Sequence, residues 1–152
     1  RPDLLVLDEP SSGLDPVVRR DILEAIIRTV ADEGRTVFFS SHLLDEIERA
    51  SDHVAMLFGG KLALSGPLDE IKESHHRVTF RFESPQSSAP ILAGALSVAG
   101  AGQEWTAICN GALDELNAAA IQLGARIVAQ GSPSLDEIFM ARAKALALPF
   151  QP

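Results

Sequence analysis

Residues 4–10 read LLVLDEP, an apolar run that ends in two adjacent carboxylates and a proline. Four consecutive apolar residues without polar alternation predict a strand that is buried on both faces, as in a parallel sheet. In open α/β sheets the ligand crevice lies at the carboxyl ends of the strands, where Asp8 and Glu9 stand. Two neighbouring acids repel each other unless a cation or a proton lies between them. The pair therefore indicates a divalent metal with a phosphate ligand.

A helix and a second strand follow this first strand. Asp15 is a suitable N-cap and Pro16 suits the first helical position, and apolar residues at helical spacing extend the predicted helix over 16–33. The apolar run 36–40 predicts the second strand, which leads to His42. Strand, helix and strand predict a βαβ unit with a right-handed crossover.

Two segments together resemble the ATPase subunits of ABC transporters. Residues 4–16, LLVLDEPSSGLDP, match that family's Walker B strand and D-loop, and residues 36–57, TVFFSSHLLDEIERASDHVAML, match its switch-histidine region. The ordered set of strand, DE, SGLD, helix, strand and SH is much more specific than an acidic pair alone. The resemblance implies an α/β fold, a partial P-loop NTPase with a parallel sheet, that uses ATP and Mg²⁺.

The resemblance implies roles for three residues at the strand ends. Asp8 would hold the Mg²⁺ ion that bridges the β- and γ-phosphates, and Glu9 would act as general base toward the attacking water. His42 would contact the γ-phosphate and help to orient that water. The alternatives left open are solvated strand-end acids for the first two and a local helix cap for His42.

The D-loop residues Ser12, Gly13 and Asp15 are implied to reach the nucleotide of the opposite subunit, while Asp15 also has its helix-capping role. No G-x-x-x-x-G-K-[ST] phosphate loop occurs in the 152 residues, which open at Arg1 without a methionine. In the resembling family the P-loop and the LSGGQ signature lie upstream of the first strand seen here. We therefore expect the C-terminal part of a longer subunit, inactive by itself.

The composition changes near residues 75–77, which predicts a first domain over 1–74 and a small α+β domain over 77–148. Within the first, Gly59-Gly60 predicts a tight hairpin. In the second we predict a strand at 78–83, a loop at 84–90, an Ala/Leu-rich helix, a strand at 104–109, a helix at 113–123, a strand at 126–130 and a helix after a Ser134/Glu137 capping box. The segment PSLDEIF at 133–139 resembles the C-terminal extension of drug-export ABC ATPases.

Composition excludes several classes of function. A net charge of −8 with 13 Lys+Arg leaves no basic stripe for a nucleic acid. The single cysteine, Cys109, excludes an internal disulfide and is predicted to be a buried hydrophobe on a strand, while Trp105 is predicted to be core. No apolar run approaches the roughly 18 residues of a membrane span. Three histidines, namely His53, His75 and His76, are interpreted as solvated rather than metal ligands, and Asp45, Glu46 and Glu48 as the solvated face of a short helix.

The leading functional hypothesis is an ATP-binding and ATP-hydrolysing subunit that powers an ABC transporter. Such a subunit would pair with a second ATPase subunit, as a homo- or heterodimer, and drive membrane-spanning permease subunits from the cytoplasmic face of the membrane. The C-terminal resemblance favours export of the drug or multidrug type. The alternatives are a soluble, non-transport ABC-type ATPase and a non-catalytic interaction or dimerisation module.

Overall fold

A computed structural model describes residues 3–32 and 34–147. The chain divides into two compact units, Arg1–Ser51 and Asp52–Pro152. Both mix helices with strands, so the predicted mixed α/β class is confirmed. The predicted division into domains at 1–74 and 77–148 stays a prediction.

The first unit is a single β-α-β-α run. It consists of β1 (Leu4–Leu7), α1 (Pro16–Ala31), β2 (Thr36–Phe39) and α2 (Leu44–Ala50). The two strands pair in parallel, from Leu4 opposite Thr36 to Leu7 opposite Phe39. The predicted helix start at Pro16 is confirmed, whereas α1 ends at Ala31 and Glu33 lies outside the described residues.

The prediction that the first strand is buried on both faces is wrong for the described residues. Leu4 is 53% exposed and Val6 63% exposed, and Phe38 on β2 is 64% exposed. Burial alternates along both strands because α1, through the buried Leu23 and Ile26, packs on one side only. A parallel sheet with an open apolar face is unusual, since such sheets are normally covered on both sides.

The second unit opens with a hairpin and continues into a three-stranded sheet. Its elements are β3 (His53–Phe58), β4 (Lys61–Pro67), α3 (Leu68–Ser74), β5 (His75–Gln86), β6 (Ala95–Asn110), α4 (Leu113–Gln122), β7 (Ala125–Gly131) and α5 (Leu135–Ala147). The hairpin β3–β4 turns at Gly59-Gly60, as predicted. The sheet has the antiparallel order β6-β5-β7.

The predicted Ala/Leu-rich helix after residue 90 is wrong, because β6 begins at Ala95. The Asn110 N–H donates to Gly94 O at 3.0 Å, so this 16-residue element folds back on itself. The fold-back brings the backbone very close at Gly100, where a Cβ would lie 2.4 Å from Glu104 O. Alanine and leucine favour helix, but glycines at 100 and 102 disfavour it and permit this close approach.

The core of the second unit lies between the sheet and α4. It contains Val78, Phe80, Phe82, Leu92, Trp105, Ala107, Cys109, Leu116, Ala120 and Ala125. The predictions for Trp105 and Cys109 are confirmed, and burial raises the pKa of the Cys109 thiol to about 11. This core requires only residues of the second unit.

The last helix, α5, begins at the predicted capping box. Ser134 N donates to Glu137 Oε2 at 2.8 Å, and Glu137 N donates to Ser134 Oγ at 3.2 Å. Leu135 and Ile138 in the first turn are completely buried, whereas Asp136 between them is exposed. None of the helices in the described ranges is long and apolar enough to cross a membrane.

Candidate functional site

The carboxyl ends of β1 and β2 bring together the polar residues that the sequence singled out. Asp8 and Glu9 follow β1, and Ser40 and His42 follow β2. Because the two strands are parallel neighbours, both ends lie at the same edge of the sheet. Residues separated by more than 30 positions in the chain thus share one site.

Ser40 links the two acidic residues. Its hydroxyl donates to Asp8 Oδ1 at 2.6 Å and accepts from Glu9 N at 2.9 Å. Its own N–H donates to Leu7 O at 3.0 Å and continues the strand pairing. Sequence reasoning missed this role, although Ser40 closes the predicted strand 36–40 and follows the residue paired with Leu7.

Glu9 has a left-handed backbone, with a φ of +41°. In the described part of the chain all other residues with positive φ are glycines. This conformation costs an L-residue about 1–2 kcal/mol. The surrounding turn holds it, since Glu9 N donates to Ser40 and Glu9 O accepts from Ser12 N at 3.0 Å. Strained residues of this kind concentrate at functional sites.

The Glu9 carboxylate contacts the His42 imidazole. The distance between Glu9 Oε2 and His42 Nδ1 is 3.0 Å, and the two side chains are 43% and 62% exposed. An ionised carboxylate only accepts hydrogen bonds, so Nδ1–H is the donor. An exposed pair of this kind adds little stability. Both side chains are open to solvent, and Glu9 is the chain neighbour of Asp8.

Asp8 offers a hard oxygen ligand of the kind that Mg²⁺ takes. Ser40 donates to Oδ1, and the described residues supply no hydrogen bond to Oδ2. Mg²⁺ is usually held by one or two carboxylates together with phosphates and waters. In residues 3–32 and 34–147 no group of three or more His, Cys, Asp or Glu side chains could enclose a metal. The Asp8 carboxylate has the donor chemistry that a Mg²⁺ ion takes from a protein.

The D-loop residues lie in the turn between Glu9 and α1. Gly13 has a φ of +73°, and Ser12 and Gly13 are exposed. Asp15 Oδ1 accepts from Val17 N at 3.0 Å and from Val18 N at 3.2 Å, which confirms its predicted capping role. The nucleotide-binding role of this loop stays a prediction.

The interpretation of Glu46 as part of a solvated helix face is wrong, since this residue is only 3% exposed. Its Oε2 accepts from Ser11 Oγ at 2.5 Å and lies 3.3 Å from Ser41 Oγ. Its Oε1 lies 3.4 Å from Arg19 Nε on α1. The charge pattern of α2 could not reveal this burial, because the partners come from other elements.

The interpretation of His75 as a solvated residue is also wrong. Its side chain is 1% exposed, with Nδ1 2.6 Å from Ile71 O and Nε2 3.0 Å from Arg142 Nη2. Burial, and further the Arg142 charge, lower the pKa of His75. The neutral ring therefore donates from Nδ1–H and accepts at Nε2. His53 is exposed, as predicted, and His76 is half-buried.

Comparison with known proteins identifies relatives of this chain. No protein-family model matches the chain. An uncharacterized ABC transporter ATP-binding protein of Synechocystis is 32% identical over 143 residues, which are 91% of this chain and 39% of that protein. The homologues of this chain are thus ABC transporter ATP-binding proteins, and the resemblance is confirmed.

Two further relatives have names that state a transported substrate. The bacitracin transport ATP-binding protein BcrA of Bacillus licheniformis is 37% identical over 91 residues, 60% of this chain and 30% of that protein. The nickel import ATP-binding protein NikO of Rhodobacter capsulatus is 45% identical over 73 residues, 46% of this chain and 28% of that protein. The chain spans 28–39% of the length of these three relatives.

Proposed function

We propose that this chain is part of an ATP-hydrolysing subunit with a P-loop NTPase fold, and that this subunit powers an ABC transporter. The observation that carries the proposal is the 3.0 Å contact between Glu9 Oε2 and His42 Nδ1 beside Asp8 at one sheet edge. A carboxylate that can hold a metal ion, a second carboxylate that can act as a base and a hydrogen-bond donor, all at the carboxyl ends of parallel strands, are suited to phosphate chemistry.

Asp8 is assigned the metal position. A Mg²⁺ ion, when bound, would neutralise the negative charge that develops on the β- and γ-phosphates. The role of the chain is then to orient the carboxylate. Ser40 does so by donating to Asp8 Oδ1 while it fixes the backbone of Glu9.

Glu9 is assigned the role of general base. Its carboxylate is partly exposed, so it can accept a proton from a water molecule in the site. A neutral His42 has one N–H, which here is directed at Glu9. The same proton could instead be donated to a γ-phosphate oxygen. His42 would then release Glu9 for the water when the γ-phosphate is present.

The proposed subunit works as a pair with a second ATPase subunit, and the pair drives membrane-spanning permeases from the cytoplasmic face of the membrane. Ser12, Gly13 and Asp15 would reach the nucleotide of the opposite subunit. We favour export, because residues 133–139 resemble the closing segment of drug-export ATPases.

The 152 residues by themselves are proposed to bind ATP poorly and therefore to be inactive as an ATPase. They contain no G-x-x-x-x-G-K-[ST] loop, whose backbone amides and lysine would hold the phosphates. Titration of ATP into this chain and into the full-length subunit tests this directly. Equal affinity of the two would contradict it.

The substitution Glu9→Gln in the full-length subunit tests the catalytic assignment. It removes the base but keeps the shape of the side chain, so turnover should fall at least about 10²-fold while ATP affinity is unchanged. Asp45→Asn, which neutralises an exposed acid on α2, is the matched control and should retain parental turnover. Parental turnover in the Glu9→Gln protein would refute the assignment.

A further inference from the structure

Glu46 contacts three separate segments of the first unit. Its carboxylate meets Ser11 from the turn after β1, Ser41 from the segment after β2, and Arg19 from α1. Both Ser11 and Glu46 are almost fully buried, at 2% and 3% exposure. A single side chain thus joins the two loops that carry the proposed catalytic groups to the helix between them.

The spacing along the chain connects Glu46 to the site. Ser11 stands two residues after Glu9, and Ser41 stands immediately before His42. Glu46 Oε2 is therefore shared between the two loops whose tips meet at the 3.0 Å contact. A displacement of Glu46 would release both loops together.

Packing alone does not explain a carboxylate at this position. A buried charge loses its hydration and needs a partner, and a hydrophobic residue of similar volume is often equally or more stabilising. The cation here is Arg19, whose Nε lies 3.4 Å from Glu46 Oε1. Within the described residues neither of these two atoms makes a hydrogen bond, so their contact is an ion pair without one. What the charged group adds over an apolar one is directional contact to both loops.

We infer that Glu46 is a positioning residue for ATP hydrolysis, which holds Glu9 and His42 within reach of each other. The inference rests on the proposed function. Glu46 does not contact the acidic pair itself, so its effect passes through Ser11 and Ser41. Small misplacements of reacting groups lower the rate of the chemical step more than they weaken binding of the substrate.

The test compares Glu46→Gln with Asp45→Asn in the full-length subunit. Both remove one negative charge from α2, but Asp45 is exposed and Glu46 is buried. We expect Glu46→Gln to lower kcat by about 10- to 100-fold with the KM for ATP unchanged, and Asp45→Asn to leave both at parental values. A milder variant, Ser11→Ala, keeps the Arg19 partner of the carboxylate and should lower kcat by a smaller factor.

A double substitution separates positioning from general loss of structure. In a protein that already carries Glu9→Gln, the added Glu46→Gln should lower the residual rate by less than about twofold, because effects of residues that act together are not additive. A variant that merely reduced the folded fraction would lose the same factor in both backgrounds. Should Glu46→Gln fail to fold, the Ser11→Ala pair of measurements supplies the same comparison.

The outcomes distinguish a failure of the inference about Glu46 from a failure of the proposed function. The inference about Glu46 is overturned if Glu46→Gln has parental kcat, or if it lowers the rate by the same factor in the parental protein and in the Glu9→Gln protein. In either case the proposed function stands as long as Glu9→Gln lowers turnover. The inference is also overturned if Glu46→Gln raises the KM for ATP while kcat stays at the parental value. Parental turnover in Glu9→Gln refutes the proposed function, and the inference about Glu46 falls with it.

Discussion

Glycine usually makes a folded protein less stable than alanine does at the same position. At Glu9, whose backbone is left-handed, we predict the opposite. Replacing Glu9 by Ala or by Gly removes the same carboxylate and the same contact with His42. Only the alanine retains a Cβ at a φ of +41°. The comparison between the two variants therefore isolates the backbone strain.

The magnitude follows from two opposing terms. The left-handed conformation costs a residue with a Cβ about 1–2 kcal/mol, and glycine avoids this cost. Glycine loses about 0.5–1 kcal/mol more conformational entropy than alanine on folding. The midpoints of the two ranges leave the Glu9→Gly protein more stable than Glu9→Ala by about 0.7 kcal/mol, or a factor of about three in the opening equilibrium.

Amide hydrogen exchange of the 152-residue chain measures this difference within the first unit, Arg1–Ser51, which contains Glu9. The amides of Ser40 and Ser12 report on the site, since they donate to Leu7 O and Glu9 O. Both should exchange more slowly in Glu9→Gly than in Glu9→Ala, while the fluorescence of Trp105, which belongs to the other unit, stays unchanged. Equal or faster exchange in Glu9→Gly would show that no strain is stored at this residue.

Three further outcomes are expected from the rest of the structure. Gly100→Ala should destabilise the second unit by about 1–3 kcal/mol, because the new Cβ would lie 2.4 and 2.7 Å from backbone atoms that cannot rotate away. Gly102→Ala, with nothing within 4 Å of its Cβ, should cost only about 1 kcal/mol. Urea unfolding followed by tryptophan fluorescence compares the stability of the two variants. Burial lowers the pKa of His75, so the folded state binds fewer protons than the unfolded chain, and stability should be constant above about pH 6.5 and fall as the pH drops toward the lowered pKa. The substitution His75→Gln should flatten this slope in urea titrations at several pH values, whereas exposed His53→Gln should retain it. Asp15→Ala removes the side-chain acceptor of two amides and should destabilise α1 by about 1 kcal/mol, visible as faster exchange of its first-turn amides; an unchanged rate would mean that the cap contributes nothing.

The sequence was sufficient where both partners of an interaction lie close together in the chain. Asp15 caps amides two and three residues away, and Ser134 and Glu137 cap each other. The glycine pair at 59–60 likewise determines its own hairpin turn. Such signals need no knowledge of the tertiary fold.

The sequence was insufficient where burial depends on distant partners. Glu46 is buried by Ser11, 35 positions away, and His75 accepts from Arg142, 67 positions away. The charge pattern of a helix and the polarity of a linker say nothing of such partners. The wrong helix after residue 90 has a related cause, because the helix-favouring composition there is overridden by the fold-back of β6.

The candidate site lies between these two cases. Asp8, Glu9 and His42 could be assigned together because parallel strands end at one edge of a sheet. Ser40 and Glu46, which orient those residues, carry no motif of their own. The proposed catalytic residues were thus accessible to sequence reasoning, whereas the contacts of Ser40 and Glu46 were recognised only in the three-dimensional structure.

The buried thiol of Cys109 makes the chain a reporter of its own fluctuations. With a pKa of about 11, the folded protein at pH 7 holds roughly one thiolate in ten thousand molecules. Alkylating reagents can therefore modify this position only when the antiparallel sheet transiently opens. Since the sequence contains one cysteine, the rate of labelling reports on those openings without any engineered probe.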